Sequence, residues 1–155
     1  MGTHYQGTPA ETAALNTYIK LSRAAEAVTA AINGHLSSYH LTVSQFGVLE
    51  ALYHLGPLPV GQLGEKILKS SGNMTLVVDN LVKRGLVTRA RRTDDRRCID
   101  VHLTPAGTQL IAEIMPTHVT HVVRSLAALT PDEQAGLAAL CRKLGLAQSN
   151  VAREA

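Results

Sequence analysis

Between Ser70 and Arg97 the chain (SSGNMTLVVDNLVKRGLVTRARRTDDRR) passes from a helix-length apolar repeat through a glycine turn into a short β-like stretch and a charged tip. Met74, Val77, Val78, Leu81 and Val82 recur at i, i+3, i+4, i+7 and i+8, which gathers them on the inward face of an amphipathic helix. Asn73, Leu76, Asn80 and Lys83 lie roughly opposite, with Thr75 on the flank. That face is mostly polar and uncharged to basic, and its amides and hydroxyls both donate and accept, as base edges require. From Lys83 to Arg97, seven basic residues (Lys83, Arg84, Arg89, Arg91, Arg92, Arg96 and Arg97) stand against Asp94 and Asp95, a net charge of +5. The whole chain carries +3, so everything outside this stretch sums to −2. Concentrated positive charge beside a polar helix face suits a phosphate polyanion. Taken alone, the same run also fits a solvated basic hairpin on a structural helix.

The flanking sequence supplies the rest of an architecture. Thr8-Pro9-Ala10-Glu11, Thr104-Pro105-Ala106-Gly107 and Thr130-Pro131-Asp132-Glu133 each offer a Thr to cap a helix and a Pro at its first position. In the first and third of these a Glu occupies the capping-box position. The spacing predicts long helices over about 9–38, 105–128 and 131–146. Between them, Thr42-Val43-Ser44-Gln45 caps a helix of about 44–54, Gly56-Pro57 ends it, and a short helix of about 60–68 follows. After the 71–84 helix come strands at 86–91 and 98–103. In the second strand Ile99, Val101 and Leu103 are expected inside, and Cys98, Asp100 and His102 outside. Helix, short helix, helix and two-stranded hairpin make a winged helix-turn-helix, whose second helix enters the major groove. The fold class is therefore mainly α with a small β-hairpin wing, a winged helix-turn-helix with long flanking helices.

Composition narrows the alternatives. Aromatic residues make up 3% of the chain, with no Trp and one Phe, so the core is built from Ala, Leu, Val and Ile. Two cysteines, Cys98 and Cys141, are too few for a secreted disulfide scaffold. No leader-like segment opens the sequence and no apolar run approaches a membrane span, so a cytoplasmic location with no membrane partner is expected. No Gly-rich phosphate loop, G-x-S-x-G or H-E-x-x-H is present, which argues against an enzyme, and nothing calls for a cofactor.

The block ILKSSGNMTLVVDNLVKRGLVTRARRTDDRRCIDVHLTPAG closely resembles the MarR family of bacterial transcriptional regulators. The likeness is carried by the SSGNMT start of the recognition helix, its K/R-R-G-L-V ending, the tip Asp94-Asp95-Arg96-Arg97 and the L-T-P-A-G run into the next helix. It extends over about residues 9–146. The resemblance implies one MarR-type domain, with a winged helix-turn-helix at 42–103, a helical dimerisation region at 9–38 plus 105–146, and loose termini at 1–8 and 147–155. It further implies a homodimer on a pseudo-palindromic double-stranded DNA operator, acting as a regulator and most naturally a repressor. The residues agree, since the 9–38 and 105–146 helices carry more apolar surface than a winged helix of this size covers, and an isologous dimer buries it.

By the same resemblance Ser70, Ser71 and Asn73 cap the recognition helix and meet phosphates or bases, and Thr75, Asn80 and Lys83 continue along the groove. Asp94 orients Arg96 into the minor groove, whose narrow A·T-rich forms attract arginine, while Arg97, Arg91 and Arg92 serve phosphates. Many relatives carry Arg where this chain has Leu76, so a bidentate guanine contact is missing there, and either Leu76 meets a thymine methyl or the operator is read mainly through Asn73, Asn80 and shape.

Regulation is expected through a small aromatic or phenolic effector in a crevice between the dimer helices and the winged region. His35, Tyr39, Phe46, Glu50 and Tyr53 are the candidate lining, although the last three, at i, i+4 and i+7, also suit plain core packing. Cys98 beside Arg96 and Arg97 is a candidate redox residue with a depressed thiol pKa. His118 and His121 are spaced i, i+3 but lack the further ligands of a zinc site, so no metal is assigned. A metal- or thiol-based sensor of the same fold and a sequence-neutral, nucleoid-type DNA binder are the alternatives.

Overall fold

A computed structural model describes residues 2–67 and 71–154. Six helices, α1 (Pro9–Asn33), α2 (Val43–Leu55), α3 (Val60–Lys66), α4 (Ser71–Lys83), α5 (Pro105–Leu126) and α6 (Pro131–Glu154), alternate with strands β1 (Leu58–Pro59), β2 (Val87–Arg91) and β3 (Ile99–Leu103). The caps form as the sequence predicts. Thr8 and Glu11 close a full capping box on α1, and Thr42 and Gln45 do the same on α2. Thr130 and Glu133 exchange the equivalent bonds at the start of α6, while Thr104 Oγ1 accepts from Gly107 N–H on α5.

Several boundaries differ. The first long helix ends at Asn33 and continues as a 3₁₀ segment, Gly34–Tyr39, whose end residue His40 takes a left-handed conformation (φ 54°). The last helix runs to Glu154 instead of stopping near 146, because nothing after Gly145 breaks its pattern. The wing is a three-stranded sheet in the order β1-β3-β2, not a two-stranded hairpin. The stretch before and within Leu58-Pro59 is extended, as Pro demands, so Leu58 pairs with Val101 and Pro59 with Asp100.

The core gathers around α2, α4 and α5. Phe46, Val48, Leu49 and Leu52 of α2 meet Met74, Val78 and Leu81 of α4, closed by Val101, Ile111 and Ile114. On α4, Val77 is only half-buried and Val82 is 37% exposed, so the inward stripe is narrower than the repeat suggested. On β3 the simple alternation fails near the tip. Ile99 is exposed because the strand has outrun the core, whereas Asp100 is buried between β1 and the Arg92 side chain.

The α4 helix ends as its sequence requires. Gly85 has φ +68°, Leu86 N–H bonds to Leu81 O and Gly85 N–H to Val82 O. This is a Schellman stop, with Leu81 and Leu86 both buried beneath it. By contrast, α1 buries no residue at all within the single chain, and no described side chain of α6 is buried. No helix among the described residues is long and apolar enough to cross a membrane.

Candidate nucleic-acid interface

With Met74, Val78 and Leu81 turned into the core, the opposite side of α4 presents Asn73, Leu76 and Lys83 to solvent, and Asn80 half-exposed beside them. Ser70 lies outside the described residues, as does the side chain of Ser71. Thr75 is exposed on the flank. The helix and the wing are tied directly: Arg89 Nη2 of β2 lies 2.7 Å from Asp79 Oδ1 of α4.

Not every cation of the basic run is available to a polyanion. Arg84, just past the end of α4, donates to the carbonyl oxygens of His40 (2.7 Å) and Tyr39 (3.2 Å). It therefore pins the end of α4 to the junction between the 3₁₀ segment and α2. Arg92 Nε donates to Asp100 Oδ2 at 2.7 Å. That hydrogen bond, with the attraction of the carboxylate, raises the guanidinium pKa further above its ordinary value. Arg92 was expected to serve phosphates; in the free chain it neutralises a buried carboxylate that would otherwise be costly. Arg91, Arg96 and Arg97 are exposed, and Arg91, Arg92, Thr93 and Arg96 line one concavity of the wing.

The tip is organised by a different aspartate from the one expected. Asp94 Oδ1 accepts from Asp95 N–H and is not bonded to Arg96. Asp95 does the organising, since its Oδ1 accepts from Arg97 N–H at 3.0 Å and its Oδ2 lies 3.6 Å from Cys98 Sγ. The backbone bond from Arg97 holds the Asp95 carboxyl below its ordinary pKa. The resulting anion pushes the Cys98 thiol up, not down, with burial adding in the same direction. The expected acidic, oxidant-sensitive Cys98 is thus corrected, because the nearest charge to sulfur is a carboxylate and not an arginine. Cys141 is exposed in an apolar groove with Leu21, Leu137, Leu140 and Leu144.

Above the winged region a crevice of about 350 Å³ opens between α1, α2 and α5, lined among others by Ile32, Phe46, Glu50, Lys66, His118 and Val122. Of the five expected residues, Phe46 and Glu50 line it directly. His35 borders it through aromatic contact, stacking on His121 (centroids 4.8 Å, planes 11° apart) and tilting against His118 (5.4 Å). His118 in turn packs on Phe46 at 4.4 Å. Tyr39 instead packs against the core, and Tyr53 is exposed beside His54. Tyr53 shares a helical face with Phe46 but lies two turns further on, about 10 Å along the axis, beyond the end of the crevice.

Sequence reading missed His118 and Lys66 as lining residues. The His118–His121 spacing was visible, but it was weighed only for metal. Burial depresses the His118 pKa, against a weaker opposing pull from Glu50. His35 Nδ1 bonds to Ile32 O at 2.8 Å, and His35 Nε2 and His118 Nδ1 are buried without a partner. His118, Glu50 and Lys66 on an apolar-walled crevice can orient a small aromatic molecule by its polar substituents.

Comparison with known proteins places these features in a family. Residues 41–99 match the model of the MarR family. The chain is 34% identical over 133 residues to the Bacillus subtilis HTH-type transcriptional regulator YkoM, covering 86% of each chain. It is 34% identical over 132 residues to MhqR of the same organism, covering 85% of this chain and 91% of that one. Among solved structures it is similar to Bordetella bronchiseptica BpsR, with a TM-score of 0.74 and 26% identity, over 83% of this chain and 98% of that one. The BpsR structure concerns regulation of its DNA binding by 6-hydroxynicotinic acid.

Proposed function

The chain belongs to the MarR family of transcriptional regulators, and on that premise we propose that it is a homodimeric repressor released from a pseudo-palindromic operator by a small aromatic ligand. The observation that carries the DNA-binding part is the α4 surface. A solvent-facing row of Asn73, Leu76, Asn80 and Lys83 lies directly opposite a fully buried apolar stripe and is fixed to a wing bearing Arg91, Arg96 and Arg97. In this reading α4 lies in the major groove and Arg96 reaches the adjoining minor groove.

Dimerisation is supported by what one copy leaves uncovered. Tyr18, Val123 and Leu140 are each about two-thirds exposed, and Val119, Leu137 and Leu144 nearly half. Apolar residues repeated along three helices of one protein surface mark an interaction face, and a two-fold dimer covers it with the same patch from a second copy. That arrangement presents two α4 helices to successive turns of the duplex.

Release is supported by the crevice. An aromatic ring can lie against the contiguous Phe46 and His118 rings, with its polar substituents turned toward Glu50 and Lys66. The site lies where α1 and α5 of the dimerisation region abut α2, so a ligand that prefers one spacing of the two winged regions biases DNA affinity through a coupling of about 1–3 kcal/mol.

A footprint on DNA selected from a random pool tests the function. A discrete protected palindrome that is lost on adding hydroxylated aromatic acids is the expected result. Uniform coating at low salt, vanishing at moderate salt, would instead identify a sequence-neutral binder.

A further inference from the structure

The most exposed large apolar side chain in the DNA-reading region is Leu76, at 60% of its full surface. At about 100° per residue it projects almost diametrically away from Met74, Val78 and Leu81, at the centre of the outward face of α4. More than half of its surface stays open to water, and hydration of a leucine there is unfavourable unless something apolar covers it. Its neighbours on that face are two amides, Asn73 at i−3 and Asn80 at i+4, each within about 5–6 Å between Cβ atoms.

Among the described residues, no arginine or lysine on the same face is placed to read guanine. Arg84 is committed to the carbonyls of Tyr39 and His40, and Arg89 to Asp79. Lys83 stands in the last turn of the helix, whereas base edges are met by the N-terminal residues of a recognition helix. What remains toward the bases is amide, methyl, amide. Asn pairs in bidentate fashion with adenine, and an aliphatic group pairs with the C5-methyl of thymine, the one apolar feature of the major-groove floor.

We propose that Leu76 is the specificity-determining residue of this regulator. It reads a thymine methyl in each half-site, beside an adenine read by Asn73. The inference rests on the DNA-binding reading above and adds what that reading leaves open, the base that the centre of α4 selects. It makes α4 a reader of A·T pairs whose discrimination is largely apolar, so this part of binding is insensitive to salt, unlike the phosphate contacts of the wing.

Deoxyuridine scanning of the selected operator tests it, because uracil differs from thymine only by the missing methyl. One thymine per half-site is expected to be sensitive, its replacement weakening binding about fourfold in one half-site and about fifteenfold in both. With Leu76→Ala the same replacement is expected to have no effect, while binding to the thymine operator falls to about the level of the native protein on the uracil one. If a discrete operator is selected and every uracil substitution is neutral, or if the loss persists in Leu76→Ala, the assignment of Leu76 is overturned and the regulator reading stands. If no discrete operator is selected, both fall.

Discussion

Asp79 of α4 and Arg89 of β2 form an ion pair of 2.7 Å between the helix and the wing. Both side chains are partly exposed, so the pair contributes little to folding, under about 1 kcal/mol. Its effect is to fix the spacing of two reading surfaces and to cancel one positive charge. Asp79→Asn is therefore expected to raise affinity for random DNA, since Arg89 is freed and a negative charge is removed. The salt dependence should steepen by about one in the log–log slope, and the ratio of operator to random binding should fall. Filter-binding isotherms over a potassium chloride series measure both, and an unchanged ratio would mean that helix and wing are held together by other contacts.

Arg96 is exposed at the wing and is not used by any described contact within the chain. Arg96→Ala is expected to weaken operator binding tenfold or more and to leave the assembly state and melting temperature unchanged. Gel shifts beside sedimentation velocity check this. Native affinity in the variant would remove the wing from the interface.

Gly107, in the first turn of α5, packs against the backbone at the start of β2. A Cβ at that position would collide with the carbonyl oxygen of Leu86 and crowd Leu103 Cδ2 at 3.2 Å. Thr104 fastens the same corner by donating to Gly85 O at 2.7 Å. Since the obstructing atom is backbone, relief requires α5 to shift, and Gly107→Ala is expected to cost about 3 kcal/mol. Urea unfolding of the variant gives the value directly.

The His118 imidazole has a folded-state pKa below its ordinary 6.5, chiefly because burial disfavours the cation. The unfolded chain then binds a proton before the folded one as the solution is acidified. Stability is expected to hold above about pH 7 and to fall as the pH drops through 6.5, levelling once the folded-state pKa is passed. His118→Leu should flatten that part of the profile. Urea midpoints at half-unit steps from pH 7.5 to 5 would register it, and a slope equal to that of the native protein would assign the effect elsewhere.

Cys98 is expected to alkylate slowly at pH 8, because the Asp95 carboxylate opposes formation of the thiolate. In a Cys141→Ser background, Asp95→Asn should accelerate modification by iodoacetamide severalfold. Identical rates would show that burial, and not the carboxylate, controls the sulfur.

What the sequence determined is what its neighbouring residues can accomplish among themselves. Thr8 with Glu11, Thr42 with Gln45 and Thr130 with Glu133 meet three positions apart, so these helix starts are fixed by local hydrogen bonding. Gly85 ends α4 because it accepts a positive φ at no steric cost. The buried stripe of α4 and its polar reverse follow from a 3.6-residue period, and so does the exposure of Leu76.

Tertiary structure alone decided which charges are free and which side chains share a site. Arg84 reaches carbonyls 44 and 45 positions away, and Arg92 meets Asp100 only because β2 and β3 fold against each other. Likewise His35 finds His118 and His121, distant in sequence, through the packing of α5 beside the 3₁₀ segment, whereas Tyr53 is carried past the crevice by the rise of its own helix. The reason is one of range. A periodic pattern specifies a face from the dihedral angles of a few adjacent residues, but pairing of an ion or stacking of a ring depends on how separate elements approach, which no single stretch of the chain encodes.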